Sequence, residues 1–160
     1  MYSIGVAPLV VIGIGNSMRS DDGVGLAAVA RLENATGACD ENSIELRTLD
    51  GEPTRLIEAW RGRRRVIVVD AARAGSSAGS IHRIEVGVDP LPEWASIASS
   101  HSAGVAEAIA LARTIDALPD ELILYGVEPA DLSIGEGLSA AVASAVPRLV
   151  ELLVAEVSQR

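Results

Sequence analysis

The sequence contains no lysine and no phenylalanine, and aromatic residues make up 2% of its 160 residues. Its formal net charge at pH 7 is −9. A nucleic-acid surface needs clustered positive charge, so this composition argues against a nucleic-acid partner. Without phenylalanine, the core has to be built mainly from valine, isoleucine, leucine and alanine. Such a core is typical of parallel strands that are covered by helices.

Cysteine is nearly absent as well, since Cys39 is the sole example. One cysteine excludes an intrachain disulfide and a metal site built from several thiolates. No apolar run approaches the ~20 residues that cross a bilayer, and no charged segment followed by a long apolar stretch opens the chain. We therefore expect a cytoplasmic monomer without a membrane partner, folded as a single domain over residues 1–160.

The basic residues include one cluster, formed by Arg61, Arg63, Arg64 and Arg65. The cluster directly precedes an apolar segment that is predicted to be a strand. It is best explained as a solvated turn between a helix and a strand, and a docking patch for an acidic partner is the alternative.

Apolar runs of strand length alternate with segments of helical periodicity. The pattern predicts strands at 9–14, 44–49, 65–70, 80–86 and 121–127, and helices at 22–35, 53–60, 103–115 and from Leu138 onward. Pro147 is expected to kink or split the last helix at Val146. The predicted fold is a doubly wound, three-layer α/β domain with a mostly parallel five-stranded sheet and one antiparallel edge strand at 80–86.

The first strand leads into Gly13-Ile14-Gly15, a polar turn and the paired acids Asp21 and Asp22. Met18 stands where a dinucleotide-binding fingerprint needs its third glycine, and acidic side chains crowd the place of the pyrophosphate. A nucleotide site is therefore not favoured. One aspartate could cap the following helix while the other faces a ligand.

Four polar residues, Asp22, Asp50, Asp70 and His101, follow the strands or precede a helix on the side where such sheets bind ligands. Two carboxylates and an imidazole suit a divalent cation such as nickel, zinc, manganese or iron. Each residue alone also has a purely structural explanation, as a helix cap, a loop acceptor or a surface histidine. His82, on the edge strand, is expected to face solvent.

A serine hydrolase is another possibility, because Gly75-Ser76-Ser77-Ala78-Gly79 matches the nucleophile-elbow pattern. That elbow needs a turn from a strand into a helix, whereas this segment leads into a predicted strand. Ser77 is therefore a poor nucleophile candidate. A small-molecule hydrolase remains an alternative that serine modification would reveal.

Four motifs together resemble the hydrogenase maturation endopeptidases: the loop 13–25 with Asp21-Asp22-Gly23-Val24-Gly25, the strand ending at Asp70, Ser100-His101, and Gly126-Val127-Glu128-Pro129. The resemblance covers nearly the whole chain. It implies an endopeptidase that removes the C-terminal extension of a nickel-iron hydrogenase large-subunit precursor after nickel insertion. Nickel, carried by the substrate, would be the recognition element, and other divalent cations could substitute for it.

The resemblance also implies roles for individual residues. Asp22, Asp70 and His101 would contact the metal, and Asp22, Asp50 and His101 would be catalytic. From its place beside Asp22 rather than from the resemblance, Asp21 is expected to cap the helix or support Asp22. The chain departs from the family at Glu52 and Pro53, where members often have Gly-Thr after Asp-Gly, so substrate contacts there are not carried over. The alternative function is a non-catalytic, metal-dependent chaperone that binds the large subunit without shortening it.

Overall fold

The computed structural model describes residues 7–36, 43–95 and 103–159. Over these residues the chain alternates strands and helices, as the apolar periodicity predicts. The elements are β1 (Leu9–Ile14), α1 (Val24–Thr36), β2 (Ile44–Leu49), α2 (Pro53–Trp60), β3 (Arg65–Ala71), β4 (Ile81–Glu85), α3 (Ala103–Thr114), β5 (Glu121–Val127) and α4 (Ala140–Ser158). Short 3-10 turns precede α1 at Ser20–Gly23 and follow β4 at Glu93–Ala95.

The strands form one sheet in the order β2-β1-β3-β5-β4. Strands β1, β2, β3 and β5 are parallel to one another, and β4 pairs antiparallel with β5 at the edge. The predicted mostly parallel sheet with one antiparallel edge strand is confirmed. Every residue of β1 is buried, which agrees with a central strand that is covered on both faces.

Helices cover both faces of the sheet, so the three-layer arrangement is confirmed. On one face, alternate residues such as Val10 and Val66 pack with Trp60 and Ile109 from α2 and α3. On the other face, residues that include Val11 pack against α1 and α4. The alternation follows from the period of two in a strand, which points successive side chains to opposite faces.

The predicted helix at 22–35 is displaced at its start, because Asp21 and Asp22 lie in the 3-10 turn and α1 begins at Val24. The last helix begins at Ala140 rather than at Leu138, since the Ser139 side chain accepts a hydrogen bond from the Val142 N–H at the N-cap.

The predicted split at Pro147 is wrong, since α4 continues through this residue to Ser158, and a kink at this position stays a prediction. Pro147 lies on the exposed side of α4, while Val142, Val146 and Leu149 are buried on the opposite side. The buried residues before and after Pro147 hold the helix together, and this packing outweighs the loss of one helical hydrogen bond on the solvent-facing side.

A buried ion cluster joins α4 to the sheet. Glu156 is 4% exposed, and its carboxylate accepts hydrogen bonds from Arg65 and Arg83, each at 2.5 Å, and from the Tyr125 hydroxyl at 2.8 Å. Burial and the bond to Glu156 raise the pKa of Tyr125 to about 12.

Two members of the arginine cluster therefore have structural partners, since Arg65 binds Glu156 and Arg63 forms an ion pair with Glu45. The solvated-turn explanation therefore holds in part: Arg61 and Arg64 are exposed, whereas the side chain of Arg63 is buried and Arg65 is a buried residue of β3. None of the described helices has the length and apolar character that crossing a bilayer requires. Cys39 lies outside the described residues.

Candidate active site

Two glycines bring the loop after β1 against its neighbours. A Cβ atom on Gly25 would lie 2.4 Å from the carbonyl oxygens of both Ile14 and Val69, so α1 begins in direct contact with the backbones of β1 and β3. A Cβ on Gly15 would lie 1.8 Å from the Asp22 carbonyl oxygen. These close approaches need glycine, and they place Asp22 where the carboxyl ends of β1 and β3 meet.

Asp22 is half-buried in this position. Its Oδ2 accepts a hydrogen bond of 3.0 Å from the Asn16 backbone N–H. Burial raises the pKa of Asp22, although the Asn16 bond and the positive charge of Arg19 oppose the rise.

Asp70 lies near the end of β3 and is half-buried. Burial, and next the negative charge of Asp22, raise its pKa well above the usual value, while a bond from the Ala71 backbone N–H acts in the opposite direction. The structure therefore brings Asp22 and Asp70 into one electrostatic environment. Two carboxylates that repel each other in a partly desolvated position are stabilised by a bound cation, so this pair fits a divalent metal ion.

An apolar wall stands beside Asp70. A cavity of about 10 Å³, roughly the size of one water molecule, lies among Asp70, Trp94, Val105 and Leu124. Because apolar neighbours solvate charge poorly, this wall explains why burial is the largest cause of the raised Asp70 pKa.

Asp50 is engaged differently from the other two predicted acids. It follows β2, and its side chain accepts a 3.2 Å hydrogen bond from the Glu52 backbone N–H and pairs with the Arg55 guanidinium. The Glu52 bond lowers the pKa of this exposed carboxylate, and the Arg55 contact adds to the effect. Asp50 lines a shallow groove with Gly15 and Arg55.

The Glu52-Pro53 departure has a local structural explanation. The Glu52 carboxylate accepts hydrogen bonds from the backbone N–H groups of Thr54, at 3.1 Å, and Arg55, at 3.0 Å, and so caps α2, while Pro53 occupies the first turn. The preceding Gly51 touches the start of α3, because a Cβ on Gly104 would lie 2.0 Å from the Gly51 carbonyl oxygen.

Asp21 has a role that the sequence reasoning did not identify. It is fully buried, and its carboxylate accepts hydrogen bonds from the backbone N–H groups of Ala130, Asp131 and Ser139 and from the Ser139 hydroxyl, at 2.7–3.0 Å. Burial opposes its ionisation, but these bonds outweigh burial and lower the pKa. Asp21 thus anchors the loop 130–139 instead of capping α1. The adjacency of two aspartates was the available signal, but the partner is more than a hundred residues away.

His101 lies outside the described residues, so the structure does not test its place beside Asp22 and Asp70. Within the described ranges, no group of three or more histidine, cysteine, aspartate or glutamate side chains could hold a metal ion. The role of His101 as a metal ligand therefore stays a prediction.

The expectation that His82 faces solvent is wrong. Its Nε2 atom is buried and has no hydrogen-bond partner among the described residues, and its ring centroid lies 6.5 Å from that of Trp94. His82 pairs with Gly126, which pairs in turn with Asp70, so His82 and Asp70 share one face of the sheet. The short 3-10 turn that carries Trp94 covers this face, and period-two alternation alone could not reveal it.

The serine motif does not form a nucleophile elbow. The segment 75–79 is a loop between β3 and β4, and it leads into a strand, as predicted. Ser76 and Ser77 are exposed. The geometry gives no support to a serine hydrolase.

Comparisons with known proteins agree with this fold and show the family. A family model described as "Hydrogenase maturation protease" matches residues 38–156. The chain belongs to the hydrogenase maturation protease family. The structure of an endopeptidase from Escherichia coli has this fold, with a TM-score of 0.79 and 23% identity over 92% of this chain and 90% of that chain.

Two relatives of this family are named hydrogenase expression/formation protein HupD. The protein from Rhizobium leguminosarum bv. viciae is 31% identical over 159 residues, which cover 96% of this chain and 77% of that protein. The protein from Thiocapsa roseopersicina is 32% identical over 126 residues, which cover 78% of this chain and 55% of that protein. Members of the family are hydrolases, so the chain is a member of an enzyme family.

Proposed function

We propose that this protein is an endopeptidase that removes the C-terminal extension of a nickel-iron hydrogenase large-subunit precursor, with the nickel of the precursor as its recognition element. Membership of the hydrogenase maturation protease family supports the class of reaction. The observation that carries the metal part of the proposal is the Asp22–Asp70 pair, in which burial and like charge both raise the pKa of Asp70.

In this proposal Asp22 and Asp70 hold the metal-bearing end of the precursor. A substrate-borne nickel ion would supply the missing positive charge and, as a Lewis acid, could polarise the scissile carbonyl or activate a water. His101 precedes α3 by two residues in the sequence and would be the neutral nitrogen ligand. Asp50 would act from the neighbouring groove, where the Glu52 N–H and then Arg55 lower the pKa of its carboxylate.

The decisive experiment incubates the purified protein with a nickel-loaded precursor and with the same precursor lacking nickel, and measures the intact mass of the large subunit. We expect the mass to fall by that of the extension in the nickel-loaded sample alone. Precursor that is bound but not shortened would favour the chaperone instead. Shortening at equal rates without nickel would contradict nickel recognition.

The residue roles are tested by Asp22→Asn, Asp70→Asn and His101→Ala, each expected to abolish shortening. Asp116→Asn is the matched control, because Asp116 is exposed after α3 and asparagine tolerates its positive φ of 54°. His101→Ala and Asp116→Asn should unfold at the same urea concentration as the wild type. Asp22→Asn and Asp70→Asn should unfold at the same or a higher concentration, because each removes the repulsion between the two carboxylates. Normal shortening by Asp70→Asn would contradict the assignment.

Direct binding gives a readout that is independent of activity. Calorimetric titration with Ni²⁺, Zn²⁺ or Mn²⁺ should show one site that weakens in Asp22→Asn and in Asp70→Asn but not in Asp116→Asn. Equal affinities in all four proteins would remove the acid pair from the metal site. The proposal extends to a monomer that acts in the cytoplasm, which sedimentation and cell fractionation test.

A further inference from the structure

The loop 15–20 before the site and the loop 130–137 after β5 are joined side by side. The Gly135 N–H donates to the Met18 carbonyl at 2.9 Å, and the Ser20 N–H donates to the Gly135 carbonyl at 2.8 Å. The Ser20 hydroxyl also donates to the Ser133 carbonyl at 2.9 Å, and Arg19 Nε donates to the Leu132 carbonyl at 3.3 Å. Two backbone–backbone and two side-chain–backbone hydrogen bonds therefore hold the two loops together.

Buried Asp21 links the same pair of loops, because its carboxylate accepts hydrogen bonds from the backbone N–H groups of Ala130, Asp131 and Ser139. Ser20 is held at a φ of 53°, a left-handed conformation that non-glycine residues rarely adopt. Such conformations persist where the surroundings over-determine them, and they cluster at functional sites. Hydrogen bonds therefore order the loop pair, and Leu132, which packs against the apolar core, adds to this order.

Two large apolar side chains project from this loop pair into solvent. Met18 is 52% exposed and Ile134 is 85% exposed, and the Gly135–Met18 hydrogen bond makes them neighbours across the two loops. The other large apolar side chains that the described residues expose, Val88, Leu111 and Ile115, lie in the turn after β4 and at the end of α3. Single exposed apolar residues are normal on a protein surface. Two neighbouring ones on a hydrogen-bonded pair of loops resemble the centre of a protein–protein interface, where methionine is enriched.

The position of the pair indicates which partner it meets. Met18 precedes Asp22 by four residues. Asn16, two residues before Met18, donates its backbone N–H to the Asp22 carboxylate at 3.0 Å. A macromolecule seated on Met18 and Ile134 would therefore lie directly beside the Asp22–Asp70 pair. A substrate that is a folded protein with a short cleavable end needs such a contact next to the site, because the end alone offers few interactions.

From these contacts we propose that Met18 and Ile134 form a docking surface for an apolar patch on the folded body of the large-subunit precursor. This inference rests on the proposed function for the identity of the partner. The docking surface adds to the affinity for the body of the precursor, whereas Asp22 and Asp70 hold its metal-bearing end. The docking interaction is the same in the transition state and in the ground state, so it contributes to KM and not to kcat.

The experiment compares steady-state shortening of a nickel-loaded precursor by the wild type and by Met18→Gln, Ile134→Gln and the double variant. We expect KM to rise about three- to tenfold in each single variant and more in the double variant, with kcat unchanged. Val88→Gln is the matched control, because Val88 is 72% exposed but lies in the turn after β4. Its KM should equal that of the wild type.

The outcomes separate this inference from the proposed function. Unchanged KM in the double variant, an equal rise in Val88→Gln, or a fall in kcat alone would overturn the docking surface while leaving the protease intact. If the wild type binds the precursor without shortening it, the endopeptidase proposal fails, and the dissociation constant of the precursor, measured by interferometry, replaces KM in the same comparison. If the wild type neither binds nor shortens the precursor, both proposals are overturned.

Discussion

Replacing Asp21 by asparagine tests whether this buried carboxylate anchors the loop 130–139. Oδ2 of Asp21 accepts three hydrogen bonds, from the Ala130 and Asp131 N–H groups and the Ser139 hydroxyl, and Oδ1 accepts one from the Ser139 N–H. An asparagine oxygen in place of Oδ2 keeps three of these bonds. Its amide nitrogen then faces the Ser139 N–H, so that one buried donor loses its acceptor.

The size of the effect follows from these bonds. Leaving one buried donor unsatisfied costs about 1–3 kcal/mol. Loss of the charge weakens the three remaining bonds, because bonds to an ionised acceptor are about twice as strong as neutral ones. We expect Asp21→Asn to lower the free energy of unfolding by about 3 kcal/mol. Asp21→Ala leaves all three backbone donors without their acceptor and should lower it by about 5 kcal/mol.

Urea unfolding followed by circular dichroism at pH 7 measures these changes, and Tm should fall by about 2–4 °C for each kcal/mol in a chain of this size. Asp131→Asn is the control, because the exposed Asp131 carboxylate accepts from the Ser133 N–H and an asparagine oxygen can do the same. Its effect should stay below about 0.5 kcal/mol. A free energy for Asp21→Asn within 1 kcal/mol of wild type would refute the anchoring role.

The pH dependence gives a second check on Asp21, since its pKa is lowered below the usual value of 3.8 in the folded protein. A carboxylate with a lowered pKa stabilises the fold at pH values above its unfolded pKa, and this stabilisation disappears as the pH falls through the folded pKa. The difference in stability between wild type and Asp21→Asn should therefore shrink below pH 4. A difference that stays constant down to pH 2 would contradict the assigned bonds.

Three further perturbations address other parts of the molecule. Glu156→Gln removes the charge that Arg65 meets in the interior, so we expect a loss of about 3 kcal/mol in urea unfolding, and no loss would show that the ion cluster is neutral for stability. Pro147→Ala restores one helical donor in α4 and should raise stability by about 2 kcal/mol, whereas a lower Tm would show that the proline ring is needed. Asp22→Asn removes the like charge beside Asp70, so the Asp70 pKa, followed by carbon NMR in the metal-free protein, should fall but stay above its usual value because burial remains. An unchanged Asp70 pKa would mean that the two acids are not close.

The sheet and its strands could be predicted from the sequence because their signals are local. Continuous apolar runs such as those of β1 and β3 are typical of strands buried on both faces, and the alternating run at 81–85 marks an edge strand. Pro147 was misjudged because local preference predicts a break, whereas the buried residues on both sides of it are held by the sheet. Tertiary packing decided that case.

The candidate site was predictable in part. The carboxyl ends of parallel strands meet at one edge, so Asp22 and Asp70 could be placed together without coordinates. The bonds of Asp21 to residues 130–139 and the position of His82 behind Trp94 depend on contacts between distant segments, and no local pattern encodes them. The ion pair of Asp50 with Arg55 could have been predicted, since the two residues are five apart in the sequence. The resemblance implied a catalytic role for Asp50 instead.

Two adjacent aspartates with opposite pKa shifts explain how one short loop could serve both binding and chemistry. Four donors surround the Asp21 carboxylate and keep it ionised, which fixes the loops that expose Met18 and Ile134. Among the described residues, Asp22 accepts a backbone hydrogen bond from Asn16 and lies near the carboxylate of Asp70, so its charge is less compensated than that of Asp21 and favours a cation. The two acids therefore have different tasks. A change at Asp21 should loosen the docking loops and weaken precursor binding, whereas Asp22→Asn should affect the metal while the loops stay ordered. Because the two residues are adjacent in the chain, the loop that seats the precursor also positions the carboxylate that faces its metal.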